Sequence, residues 1–266
     1  MTTPKAAARA AEDSTGFRIA ARIGYIVLGI IHLVIGGIAI SIATGGVGVA
    51  DQSGAMEQIR AVPAGVVLLW VTALGLVALA AWQIIEAILE RDPETAKKWG
   101  KRAKLVGTAI VYLAIAGTAI VYALGGRSDS SETAQTFSAQ LMAAPAGVFV
   151  IGLVGVGIAA IGVAFVVRGV TRRFEKNLRR PNEVARKGIV TFGVVGYIAK
   201  GIAVAIVGIL FVVAAVAHDP ENAGGLDTAL HSLAQLPFGT VILWVVGAGL
   251  GIYGLFCIAR ARYARM

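Results

Sequence analysis

The sequence predicts an all-α polytopic membrane protein: six transmembrane helices forming three parallel two-helix repeats around a pseudo-threefold axis, with short amphipathic outer helices. Three observations lead there. The 266 residues are 57% hydrophobic and 15% charged, with a mean hydropathy of +0.79, against roughly a quarter charged in a soluble domain. The apolar residues fall in unbroken blocks of about 20 or more, each long enough to cross a hydrocarbon core of roughly 30 Å. A proline-led motif recurs at the head of every second block.

The first block, 23–44, follows Lys5, Arg9, Arg18 and Arg22 and contains no credible small-x-small cleavage site, so it reads as an uncleaved anchor. Further spans are expected at 64–89, 105–125, 146–170, 188–217 and 238–259. They are too long and too continuously apolar for the ten-residue alternating strands of an outer-membrane barrel, so helices are expected. The prolines agree. Pro4, Pro93, Pro181 and Pro220 fall in connections, while Pro63, Pro145 and Pro237 each open a span, where a missing N–H does no harm.

Charge orients the bundle. Of 24 Lys and Arg residues, 21 lie in the N-terminus, the 90–104 and 168–187 loops and the C-terminus. The opposite side has Arg60 and Arg127 beside Asp51, Glu57, Asp129, Glu132, Asp219, Glu221 and Asp227. Basic residues near span ends are retained on the cytoplasmic side. A multi-pass protein of the bacterial plasma (inner) membrane with cytoplasmic N- and C-termini is expected. The net charge of +9 is then topological, so nucleic acid is not an expected partner. The expected partners are the lipid bilayer, with anionic lipid at the basic cytoplasmic loops, and other membrane proteins.

The repeat appears when the prolines are aligned. Pro63-Ala64-Gly65-Val66, Pro145-Ala146-Gly147-Val148 and Pro237-Phe238-Gly239-Thr240 are followed by Gly75, Gly157 and Gly249, and later by Glu86, Arg168 and Arg260. Gly24-Tyr25 with Gly29 and Gly36 corresponds to Gly196-Tyr197 with Gly201 and Gly208, while span three keeps mainly Gly117, aligned with Gly37. A tail at 1–19 and units at 20–92, 101–173 and 186–266 follow. Each unit leaves and returns on one side, so the copies are parallel, unlike inverted-repeat carriers. Between the helices of each unit, Leu226, Leu230, Leu233 and Leu236, then Phe137 and Leu141, and more weakly Met56 and Ile59, predict short interfacial helices. Glycine faces such as Gly247, Gly251 and Gly254 read as packing surfaces, because lipid offers helices no hydrophobic drive to associate.

Ionisable groups at membrane depth are the pointers to function. His32 on span one reads as an interhelical hydrogen bond, or more sharply as a proton relay or cofactor ligand. Lys200 on span five either snorkels or pairs with Glu86. Glu86, sharing its repeat position with Arg168 and Arg260, suggests a salt bridge at the cytoplasmic rim. On the outer side His218, Asp227 and His231 are weaker candidates, with Asp227 and His231 four apart on a helix face. The lone Cys257 excludes an internal disulfide and a thiolate cluster. No HExxH, phosphate loop or serine elbow is present, so no catalytic, cofactor-binding or metal residues are assigned, no cofactor is expected, and the chain is not expected to be an enzyme.

The third unit, with Gly196-Tyr197-Ile198-Ala199-Lys200-Gly201, His218-Asp219-Pro220, Gly225-Leu226-Asp227, Ala229-Leu230, Tyr253-Gly254-Leu255 and Arg260-Ala261-Arg262-Tyr263, resembles the bacterial membrane family known as domain of unknown function 1206. The resemblance runs from about residue 20 onward and implies three copies of a two-helix domain. It carries over no catalytic residue. The second unit departs from the pattern, lacking the Gly-Tyr start and the Asp-Pro loop. The function expected is a non-enzymatic accessory or scaffold subunit. The alternative is a small channel or transporter for protons, ions or small molecules, with a passage near His32 and Lys200.

Overall fold

The computed structural model describes residues 14–90, 94–178 and 183–264. Most of the 1–19 tail, with Lys5 and Arg9, and also Arg91, Arg179, Arg180 and Arg265, lie outside the described residues. Among the described residues, six helices are long and apolar enough to cross a membrane. They are α1 (Thr15–Ala43), α3 (Gly65–Leu89), α4 (Thr95–Ala123), α6 (Gly147–Val170), α7 (Glu183–Ala217) and α9 (Gly239–Tyr263). The first helix of each unit starts well before its apolar block. Lys and Arg are good helix formers, so the helix runs on through the basic segment.

Between the spans of each unit lies one short helix: α2 (Gln52–Ala61), α5 (Ser130–Met142) and α8 (Leu226–Ala234). Asp51 and Asp129 cap the first two, their Oδ1 atoms accepting from the backbone N–H groups of Ser53 and Gly54, and of Ser131 and Glu132. In α2 and α8 the apolar face is inward, with Met56, Ile59, Leu230 and Leu233 buried. In α5 the expected short helix forms with the opposite facing: Phe137 points out, and the buried residues are Ser131 and Ser138.

The three span-opening prolines are not the first helical residues. Each occupies the second position of a turn closed by a bond from the glycine N–H to the residue before proline, at 2.9, 2.9 and 2.8 Å for Gly65, Gly147 and Gly239. Ala64, Ala146 and Phe238 stand third with φ of 61°, 62° and 63°. This is a type II turn with a side chain where glycine is usual. The glycine comes next because space is short there. A Cβ on Gly65 would lie 2.2 Å from the Ile59 carbonyl oxygen, and one on Gly239 2.2 Å from that of Ala234.

Helix neighbours follow the order α4, α3, α1, α9, α7, α6. The contacts between units, α1 with α9, α3 with α4 and α6 with α7, are the most extensive. They use the same repeat positions each time. Gly29 and Gly36 approach Gly254 and Gly247, and Gly201 and Gly208 approach Gly162 and Gly155. The counterparts between α3 and α4 are Ala80, Ala73, Ala109 and Ala116, all buried. Small residues seven apart let each pair of backbones close up. Within units, α1 packs on α3 and α7 on α9, but α4 and α6 do not pack against each other. The second hairpin is divided: α4 lies against unit one, while α5 and α6 lie against unit three. The contacts define an order of neighbours left open between α4 and α6, not a symmetry axis.

Candidate functional site

The polar groups expected at membrane depth do come together, though not as anticipated. His32 faces inward from α1 and is buried. Its Nδ1 lies 2.8 Å from the Leu28 carbonyl oxygen one turn back, which assigns the proton to Nδ1 and leaves Nε2 as acceptor. The Lys200 ammonium, from α7, donates to that Nε2 at 3.2 Å. Lys200 therefore neither snorkels nor pairs with Glu86. Its Nζ sits 4.4 Å from the Tyr253 ring centroid and 5.5 Å from that of Phe165, so two aromatic faces supply the counter-potential. The His32 ring meets Tyr253 edge-on at 4.8 Å. Three units contribute: α1 from the first, Phe165 from the second, Lys200 and Tyr253 from the third.

Toward the basic end, aromatic packing continues. Tyr197 lies 5.4 Å from Tyr253, 5.5 Å from Phe256 and 5.3 Å from Phe174. Phe174 enters from the 3-10 turn Arg173–Asn177 and fits because Gly193 has no Cβ, which would lie 2.4 Å from its ring. The arginines sharing the repeat position of Glu86 stack on tyrosines: Arg260 over Tyr25 at 4.4 Å and Arg168 over Tyr197 at 5.2 Å. Each bond joins the last helix of one unit to the first helix of the next. At the third such junction the same positions hold Glu86 and Leu105, so both members of the pair have changed. Glu86 is half-buried, within electrostatic range of Tyr25.

At the acidic end the outer helices are knitted together at their N-termini. Asp227 Oδ1 accepts from the Ala50 N–H at 2.7 Å, joining unit three to unit one, and Ser131 Oγ accepts from the Gly225 N–H at 3.3 Å, joining two to three. His231 lies 3.5 Å from Asp227 on the same helix, and its side chain is largely exposed. His218 sits in a left-handed turn, exposed, near the Val216 carbonyl. These three residues do not converge, and among the described residues no three His, Cys, Asp or Glu side chains gather. Asp51 is fully buried beside them; its Oδ2 has no hydrogen-bond partner among the described residues. Burial holds its carboxyl above the usual carboxylate range, against the lowering effect of the Ser53 and Gly54 bonds. A cavity of about 320 Å³ lies in the basic region at the start of α7, lined by Arg172, Glu175, Glu183, Arg186, Lys187, Val190 and Thr191.

Sequence reasoning missed the aromatic partners. Tyr197 and Tyr253 belong to the motifs of the third unit, yet only the fold brings them to one lysine. With the hairpins placed, the match to known proteins can be read segment by segment. The model of the Domain of Unknown Function (DUF1206) matches residues 23–90, 103–172 and 195–264, one match per hairpin. The chain belongs to the DUF1206 family. A similar protein is "Uncharacterized protein YxxB" of Bacillus subtilis (strain 168), 29% identical over 249 residues, covering 92% of this chain and 90% of that protein. No solved structure matches. DUF1206 membership and the six apolar helices together make this a multi-pass membrane protein built from an internal repeat.

Proposed function

We propose that this DUF1206 protein is a non-enzymatic accessory or scaffold subunit of the bacterial plasma membrane, with both termini cytoplasmic and its basic loops against anionic lipid. The observation that carries the reading is the His32–Lys200 pair. His32 spends both ring nitrogens, one on the Leu28 carbonyl and one on Lys200, and the ammonium is held against that imidazole and two aromatic rings, beneath outer helices tied across units. A passage for solutes calls for polar groups turned toward water, whereas these are turned toward each other. Small-residue seams give the rigidity a scaffold needs.

A channel remains the second reading, favoured by one observation. Buried His32 and half-buried Lys200 and Arg260 place polar groups on helices α1, α7 and α9, which a purely structural bundle has little need of. Proteoliposome flux separates the two. The scaffold reading expects no proton, ion or small-molecule flux under any gradient, and none altered by His32→Ala or Lys200→Ala. Gradient-driven flux abolished by either substitution establishes the channel instead. Pull-down in mild detergent supplies the positive arm: a defined membrane-protein partner should be recovered, and purification always as the chain alone contradicts the scaffold.

A further inference from the structure

We propose that the open seam of the second unit, between α4 and α6, binds one anionic diacyl phospholipid, with its phosphate at Lys104 and Arg168 and its acyl chains over Val111, Gly157 and Ile161. This site rests on the reading that the basic end meets anionic headgroups, and makes that contact specific.

The seam exists because one residue type changed. In unit one a Cβ on Gly24 would lie 2.5 Å from Leu79 Cγ, and in unit three a Cβ on Gly196 would lie 2.6 Å from Tyr253 Cα. Both helix pairs close only because glycine stands there. The repeat places Lys104 at that position in unit two, opposite the counterpart of Leu79 and Tyr253, which is Ile161. A lysine side chain cannot fit where no Cβ fits, and the hairpin stays apart. Exposure records the outcome. Ile31 and Ala203 are each 1% exposed, but their counterpart Val111 is 54% exposed; Leu79 and Tyr253 are 0% and 5% exposed, but Ile161 is 53% exposed. Gly75 and Gly249 abut Gly24 and Ala199, whereas a Cβ on Gly157 would meet nothing within 4 Å.

The charge at the seam's end selects the occupant. Arg168 and Arg260 both act on Lys104 electrostatically, and Lys104 stands where the apolar part of α4 begins and Arg168 in the last turn of α6, so both walls of the seam carry a cation at the same end. That is headgroup level. Like charges at one level favour an anion, and a phosphate with two acyl chains meets Lys104 and Arg168 and covers the apolar walls at once. An apolar helix from a second chain would cover the walls and leave the cations facing it.

Native mass spectrometry of the full chain in detergent micelles, with added dioleoyl phosphatidylglycerol or dioleoyl phosphatidylcholine, tests this. One retained phosphatidylglycerol per chain is expected, favoured about fivefold or more over phosphatidylcholine. Lys104→Ala should weaken retention about fivefold, and Ile161→Trp, which fills the seam, should abolish it. Lys97→Ala, on an exposed side chain of the basic loop, should leave binding unchanged. Equal retention of both lipids, binding indifferent to Lys104→Ala and Ile161→Trp, or a second polypeptide held in place of lipid overturns the proposal. Micelles have no sides, so an inverted topology, found by reporter fusions at the termini, would sink the orientation without touching this result.

Discussion

At the scale of single residues, buried charge decides most of what is distinctive. A lysine inside a membrane bundle is costly, and here the cost is offset by a neutral imidazole acceptor and two ring faces, with no carboxylate ion-paired to Lys200 among the described residues. Asp51 is the complementary case at the acidic end. Burial raises its carboxyl above its ordinary value of 3.8, so folding favours the protonated form. The stabilising contribution is complete below 3.8 and is lost as the pH rises through the folded-state value. Asp51→Asn keeps an oxygen to cap α2 and removes the charge that burial disfavours. Thermal unfolding in detergent across a pH series should show the variant more stable than the parent at neutral pH, the gap closing toward acid. A gap that widens toward acid would contradict the account. None of this was legible in the sequence, where Asp51 read as one of several outer acids.

At the scale of elements, the proline-led motif is a turn that redirects the chain from a surface helix into a span. Ala64, Ala146 and Phe238 adopt a left-handed conformation that glycine accepts without strain. Ala64→Gly should therefore raise stability by about 1 kcal/mol, whereas Gly65→Ala, which drives a Cβ into the Ile59 carbonyl, should lower it by more. Melting curves of the two variants check the pair, and a stabilising Gly65→Ala would refute the turn geometry. The spans, the glycine packing faces and the surface helices were readable from hydropathy and spacing, but not the basic N-terminal extensions of α1, α4 and α7. The side to which α5 turns its apolar face was not readable either. Phe137 and Leu141 carry a helical period that says which residues share a side, but not that unit two would have no neighbour there to cover it.

At the scale of the whole molecule, three copies of one hairpin are joined by seams that reuse the same small-residue positions, and the middle copy is held open. The sequence displayed the cause in plain sight. Lys104-Leu105 stands where the other units have Gly-Tyr, and the mismatch marked unit two as divergent. What it could not display was the consequence, because the contact that glycine permits lies on a helix more than 50 residues away. The His32–Lys200 pair was hidden for the same reason, its members being 168 residues apart. Carbene footprinting of the native protein in liposomes, with a photoreactive probe confined to the acyl region and read by mass spectrometry, tests the open middle hairpin most directly. Labelling is predicted at Val111 and Ile161 and not at their counterparts Ile31, Ala203, Leu79 and Tyr253; equal protection of all three units would contradict it.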